Sequence, residues 1–170
     1  CTKKLYLENQ IEQVFHAFGY QDIETPTFEF FDVFGREVGT TPSRELYKFF
    51  DRAGNTLVLR PDFTPSIARA ASMYFMEETM PIRLCYRGSS FVNSSSYQGR
   101  LKESTQMGVE LLNDDSAMAD AEIIAMTVKV MLDAGLTDCQ ISIGHVGFFQ
   151  ALAEEAALSE DVLNELKELI

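Results

Sequence analysis

Two β-prone runs, Leu46 to Phe50 and Thr56 to Arg60, flank Asp51-Arg52-Ala53-Gly54-Asn55. A polar turn containing glycine between such runs is the signal of a β-hairpin. Hairpin-linked strands are antiparallel, and their apolar face needs another layer to cover it. The next residues supply one. Thr64-Pro65 reads as an N-cap followed by proline at the first helical position. A helix to about residue 78 is predicted, with Ile67, Ala71, Tyr74 and Phe75 inward.

The flanking segments fit the same plan. Leu7, Ile11, Val14, Phe15 and Phe18 form an apolar helical stripe over 4–18, and Gly19 suits a left-handed helix end. Thr25-Pro26 imposes an extended stretch. Residues 27–34 carry Phe28, Phe30, Phe31 and Phe34 with a mixed period, which leaves strand and short helix both open. Pro81 opens a strand through Tyr86, with Ile82, Leu84 and Tyr86 on one side. Residues 88–100 read as a serine-rich polar loop, and 101–112 as a strand. Ser116 caps a helix that ends at Gly135, residues 139–144 read as a strand, and helices begin near Gly147 and after Ser159. The expected class is α+β, a mainly antiparallel sheet flanked by helices. Residues 1–170 are expected to be a single domain, a piece of a longer chain, although the acidic tail after residue 145 could mark a boundary.

Charge narrows the partners. Among 170 residues the net charge is −12; nine basic and twelve acidic residues lie up to Tyr86, five and fourteen after it. That field repels phosphate backbones, so no nucleic acid is expected. No apolar run reaches 18 residues, so no membrane partner is expected either. Cys1, Cys85 and Cys139 make an odd set without C-x-x-C spacing. Cys85 and Cys139 therefore read as reduced core residues of a cytoplasmic protein, with no metal site and no cofactor.

Chemistry concentrates on the strand 101–112. Period two puts Thr105, Met107, Val109 and Leu111 on one face and Gln106, Gly108 and Glu110 on the other. Gly108 is expected to open room between an amide and a carboxylate, enough for a small polar ligand. A solvated sheet face is the plain alternative. Asp62 and Thr64 can cap the helix that follows them, and Asp62 could also take a ligand's ammonium group. Arg87 and Arg100 bracket the serine-rich loop; Arg100 is a candidate anion contact, and solvated surface is the simpler reading of both. His16 reads as surface and His145 as a cap or ligand contact at a strand end. No P-loop and no G-x-S-x-G is present.

Together, Thr25-Pro26 through Glu29, Leu59-Arg60-Pro61-Asp62-Phe63-Thr64, Gly99-Arg100 and Gln106-Met107-Gly108-Val109-Glu110 resemble the class II catalytic core of histidyl-tRNA synthetases. The match is ordered and runs from about residue 7 to 150. Asp62 with Pro65, and Ile143-Gly144-His145-Val146-Gly147-Phe148-Phe149, are more similar to the synthetase-like regulatory subunits of ATP phosphoribosyltransferase. The resemblance implies that Asp62, Thr64 and Gln106 take the α-amino end of histidine and Glu110 its imidazole. Class II synthetases hold ATP with an Arg-x-Glu pair; the matching positions are Val92 and Ser94, which cannot do that work. The resemblance thus implies a regulatory subunit without catalysis of its own. Its partner would be the short-form catalytic subunit, in a hetero-oligomer built on a homodimer, with feedback by histidine. The alternatives are a histidyl-tRNA synthetase catalytic-domain fragment and an interaction module without ligand.

Overall fold

The computed structural model describes residues 1–34, 41–94, 101–159, 162–163 and 165–166, with residue 146 described by its backbone alone. Two compact units result, Cys1–Thr137 and Asp138–Ile170.

The first unit opens with α1 (Thr2–Ala17), followed by the short strands β1 (Gln21–Asp22) and β2 (Phe28–Phe30). The hairpin strands β3 (Lys48–Phe50) and β4 (Thr56–Leu59) lead into α2 (Thr64–Tyr74), then β5 (Ile82–Phe91), β6 (Glu103–Leu112) and α3 (Ala117–Asp133). The strands form two three-stranded sheets, ordered β1-β5-β6 and β2-β4-β3. All pairings are antiparallel except β1 with β5.

Alternation along β5 and β6 sends successive side chains to opposite faces, and helices cover both. Toward α1 and α3, the buried Val14, Phe15, Tyr20, Cys85 and Met126 pack with Met107, Val109 and Leu111. Toward α2, Phe63 and Ile67 pack on Leu84 and Tyr86. Phe34, Leu46 and Val58 form a third cluster beside the hairpin. A fully buried side chain such as Ile67 or Val58 contributes about 1.5–3 kcal/mol relative to exposure.

The hairpin forms where its turn residues place it. Asp51 Oδ1 accepts from the backbone N–H of Ala53 and of Asn55, and Gly54 takes φ +85°. Gly19 and Gly135 end α1 and α3 at φ +85° and +89°. Ser116 Oγ accepts from Ala119 N at 3.2 Å, the cap expected of it. Residues 28–33 contain both readings of the aromatic run, β2 and then a 3-10 turn at Phe31–Val33.

Several expectations fail for physical reasons. α2 stops at Tyr74, which is exposed; Ile67 is buried as expected, but Ala70 turns inward where Tyr74 does not. β5 continues to Phe91, because ladder bonds from β6 overrule the low β-propensity of Gly88, Ser89 and Ser90. Of the serine-rich loop, 95–100 lies outside the described residues. Residues 139–144 form no strand, and Cys139 is exposed rather than core. Alternation needs a neighbouring strand to become a ladder, and among the described residues this segment has none. In the second unit α4 (Val146–Glu155) is present as expected, with His145 Nδ1 accepting from Phe148 N at 3.2 Å as its N-cap.

Candidate functional site

The face of β6 turned toward α2 carries Gln106 and Glu110, and the start of α2 brings Asp62 and Thr64 to them. The register sets Gly88 opposite Gln106, Tyr86 opposite Gly108 and Leu84 opposite Glu110. Asp62 stands at the entrance of α2. Its Oδ1 accepts from Phe63 N at 2.6 Å, from Thr64 N at 3.4 Å and from Gln106 Nε2 at 3.4 Å. Thr64 Oγ1 donates to Glu110 Oε1 at 2.7 Å. Gln106 Nε2 also donates to Tyr86 Oη at 3.4 Å. Asp62, Thr64, Gln106 and Glu110 are thus joined in one neighbourhood around Tyr86.

Two details differ from expectation. Thr64 is the first helical residue and not the N-cap; Phe63 occupies that position and the Asp62 carboxylate meets the free N–H groups. The Thr64 hydroxyl is left to meet Glu110. The space above Gly108 is not open either: a Cβ there would collide with the Tyr86 ring and its hydroxyl.

Sequence reasoning placed Tyr86 on one side of its strand with Ile82 and Leu84 but gave it no role, and it gave none to Arg60 or Phe63. Phe63 stacks on Tyr86 with ring centroids 4.4 Å apart and planes 12° from parallel. The Arg60 guanidinium lies over the Phe63 ring, 4.0 Å from its centroid. The buried Arg60 donates through Nε to Ser89 O at 2.9 Å and through Nη1 to Thr25 O at 2.8 Å. A Cβ on Gly88 would run into Arg60 Nη2 and Phe63 Cζ. The available signal was an aromatic residue on one strand and a glycine at the facing position of the next.

Electrostatically the site is acidic. Burial pushes the Glu110 carboxyl above its usual range; the Thr64 hydrogen bond pulls it down, and the Asp62 charge pushes it up again. Burial, then the charges of Glu110 and Asp62, push the Tyr86 hydroxyl up to about 12. Among the described residues of this network Arg60 is the cation, and backbone carbonyls already hold two of its nitrogens. The arrangement suits a ligand bearing N–H groups or positive charge, and offers little to a phosphate.

The remaining candidates lie elsewhere. Val92 N donates to Lys102 O just beyond β5, and Ser94 follows, half-buried. Arg100 lies outside the described residues. Arg87 Nη1 turns to the other face, 3.7 Å from Glu12 and 3.9 Å from Glu8. His16 is at the surface, 3.1 Å from Asp22.

A long antiparallel pair roofed by α2, with polar residues on its inner face, defines an α+β core of the class II aminoacyl-tRNA synthetase type. The chain belongs to the histidyl-tRNA synthetase family, whose description matches residues 2–170. Within it the chain resembles ATP phosphoribosyltransferase regulatory subunits. The one from Ruminiclostridium cellulolyticum is 43% identical over all 170 residues, which is 41% of that protein. An ATP phosphoribosyltransferase regulatory subunit/histidyl-tRNA synthetase from Bacillus halodurans C superposes with a TM-score of 0.82 and 37% identity, over 91% of this chain and 40% of that one. Apo histidyl-tRNA synthetase of S. aureus gives 0.66 and 31%, over 80% and 32%. The chain spans about two fifths of the length of the regulatory subunit it matches. Among the described residues no helix is long and apolar enough to cross a membrane.

Proposed function

We propose that this chain is part of a non-catalytic regulatory subunit of ATP phosphoribosyltransferase, acting at the first step of histidine biosynthesis. It binds the short-form catalytic subunit, in an assembly built on a homodimer, and raises its activity. One observation carries the reading: the polar residues suited to an amino acid converge on one face; the family resemblance adds that Val92 and Ser94 match the positions of a synthetase's nucleotide-binding arginine and glutamate. Asp62 and Gln106 receive the α-amino group of histidine with Thr64, and Glu110 receives an imidazole N–H. Adenylate formation needs positive charge against a developing phosphorus centre, and valine supplies none.

The test combines the full-length protein with the short catalytic subunit and follows phosphoribosyl transfer. Complex formation with a raised rate is expected. Absence of both binding and rate change rejects the reading. Histidine-dependent pyrophosphate exchange would instead identify a synthetase. Calorimetric titration with histidine separates a sensor from a bare interaction module. The heat expected for the wild type should be lost in Glu110→Ala with the fold intact.

A further inference from the structure

His16, Asp22 and Cys85 come from three elements and meet beneath the end of α1. Parallel pairing sets Asp22 beside Cys85. His16 Nε2 lies 3.1 Å from Asp22 Oδ2, and Cys85 Sγ lies 3.4 Å from Asp22 Oδ1. One ligand atom from each residue lies within 4.8 Å of the other two. This is the opposite face of β5 from Tyr86, since Cys85 and Tyr86 are successive residues of a strand.

The order of the three groups decides between two chemistries. In an activated cysteine nucleophile, the imidazole touches the thiol and the carboxylate orients the imidazole. Here the carboxylate stands between them. A nucleophile is therefore the wrong reading. A sulfur, an imidazole nitrogen and a carboxylate oxygen are instead the three donor types that zinc accepts.

We propose that His16, Asp22 and Cys85 form a site for a borderline divalent transition metal of the zinc type. Thiolate and imidazole disfavour the oxygen-seeking Mg²⁺ and Ca²⁺. Bonds of about 2.0–2.3 Å put tetrahedral ligand atoms roughly 3.5 Å apart, so the three groups must close from their present spacing. His16 and Asp22 are both exposed and free to do so by side-chain rotation. A groove of about 480 Å³ lined by Glu12, Asp22, Glu24, Cys85 and Arg87 reaches the same place and leaves a coordination position for water. The three carboxylates in that groove favour a cation. Arg87 opposes it, with its guanidinium held near Glu8 and Glu12. On binding, the Cys85 S–H bond breaks, its proton passes to solvent and the sulfur lone pair enters the metal coordination; nothing is oxidised or reduced. The bound ion ties the end of α1 to β1 and β5.

The experiment titrates Co²⁺ into the full-length protein carrying Cys1→Ser and Cys139→Ser, which removes the exposed thiols of this segment, and then adds Zn²⁺. One equivalent should produce a thiolate-to-cobalt charge-transfer band that Zn²⁺ abolishes, and Zn²⁺ should raise the melting temperature. The band should vanish when Cys85→Ser is added. Because that variant changes a core residue, His16→Ala at the surface is the companion; it should weaken binding at least tenfold with an unchanged circular dichroism spectrum. No band, a band that survives Cys85→Ser, or unaltered affinity in His16→Ala would each overturn the site.

Discussion

Tyr86 lies across the backbone of Gly108. The two residues face each other on β5 and β6, and the ring and hydroxyl fill the volume that a Cβ at position 108 would need. The Tyr86 hydroxyl thereby comes within 3.4 Å of Gln106 Nε2. Gly108 thus provides a seat for an aromatic ring.

Gly108→Ala is expected to cost about 2 kcal/mol, the scale of overpacking in a filled core. A double-mutant cycle with Tyr86→Leu checks the cause. The cost should fall by more than half when the ring is gone, and chemical denaturation of the four proteins measures it. An unchanged cost would place the strain elsewhere.

Glu110→Gln should stabilise the fold at neutral pH. The folded state raises this carboxyl, chiefly through burial. Between the usual carboxylate range and the raised value, the native protein keeps a proton that the unfolded chain has released. Wild-type stability therefore falls as pH rises through that window. Glutamine avoids this loss and still accepts from Thr64. A melting temperature about 1–3 °C higher at pH 7, with no difference near pH 3, is the expected scan. The same substitution should weaken histidine binding under the function proposed above.

Glu122→Gln should do the reverse. Arg83 donates to both Glu122 oxygens, at 2.9 and 2.7 Å, and Tyr20 Oη adds a third bond at 3.1 Å. The Arg83 hydrogen bonds hold the Glu122 carboxyl below its usual range. Their stabilisation is complete above the usual carboxylate pKa and is lost as pH falls through the depressed value. A deficit of about 1 kcal/mol at pH 7 is expected, modest because about a quarter of each side chain remains in water. Urea melts at pH 7 and at pH 3 should show it shrinking.

Ser116→Ala removes the acceptor that meets Ala119 N at the start of α3. A loss of about 1 kcal/mol in thermal or urea unfolding is expected, with Ser116→Asp restoring most of it.

The fold was legible where local chemistry and tertiary packing agree. Asp51 and Gly54 specify the hairpin turn, Ser116 specifies the start of α3, and the alternation of residues 105–111 gives β6 its two faces. Gln106 and Glu110 were legible as a pair because a strand has period two, and Asp62 and Thr64 because they open a helix, while a shared role for the four was implied by the family resemblance. What pattern could not supply was register. Only pairing sets Tyr86 opposite Gly108, and only pairing carries β5 through the serine-rich residues to Phe91. Residues 139–144 show the converse, since an alternating run becomes a strand only beside another. Thr64 shows a finer limit: as Asp62 can cap the helix as well as Thr64, composition does not say which oxygen meets the backbone.

Arg60 has a consequence for motion. Its guanidinium joins the carbonyl of Thr25, in the link between β1 and β2, to that of Ser89 within β5. Prying β4 from β5 would break both of these hydrogen bonds at once, together with the Arg60 contact on the Phe63 ring. Opening there is expensive enough to make the pair behave as a single plate, and slow hydrogen exchange should extend unbroken from β4 into β5.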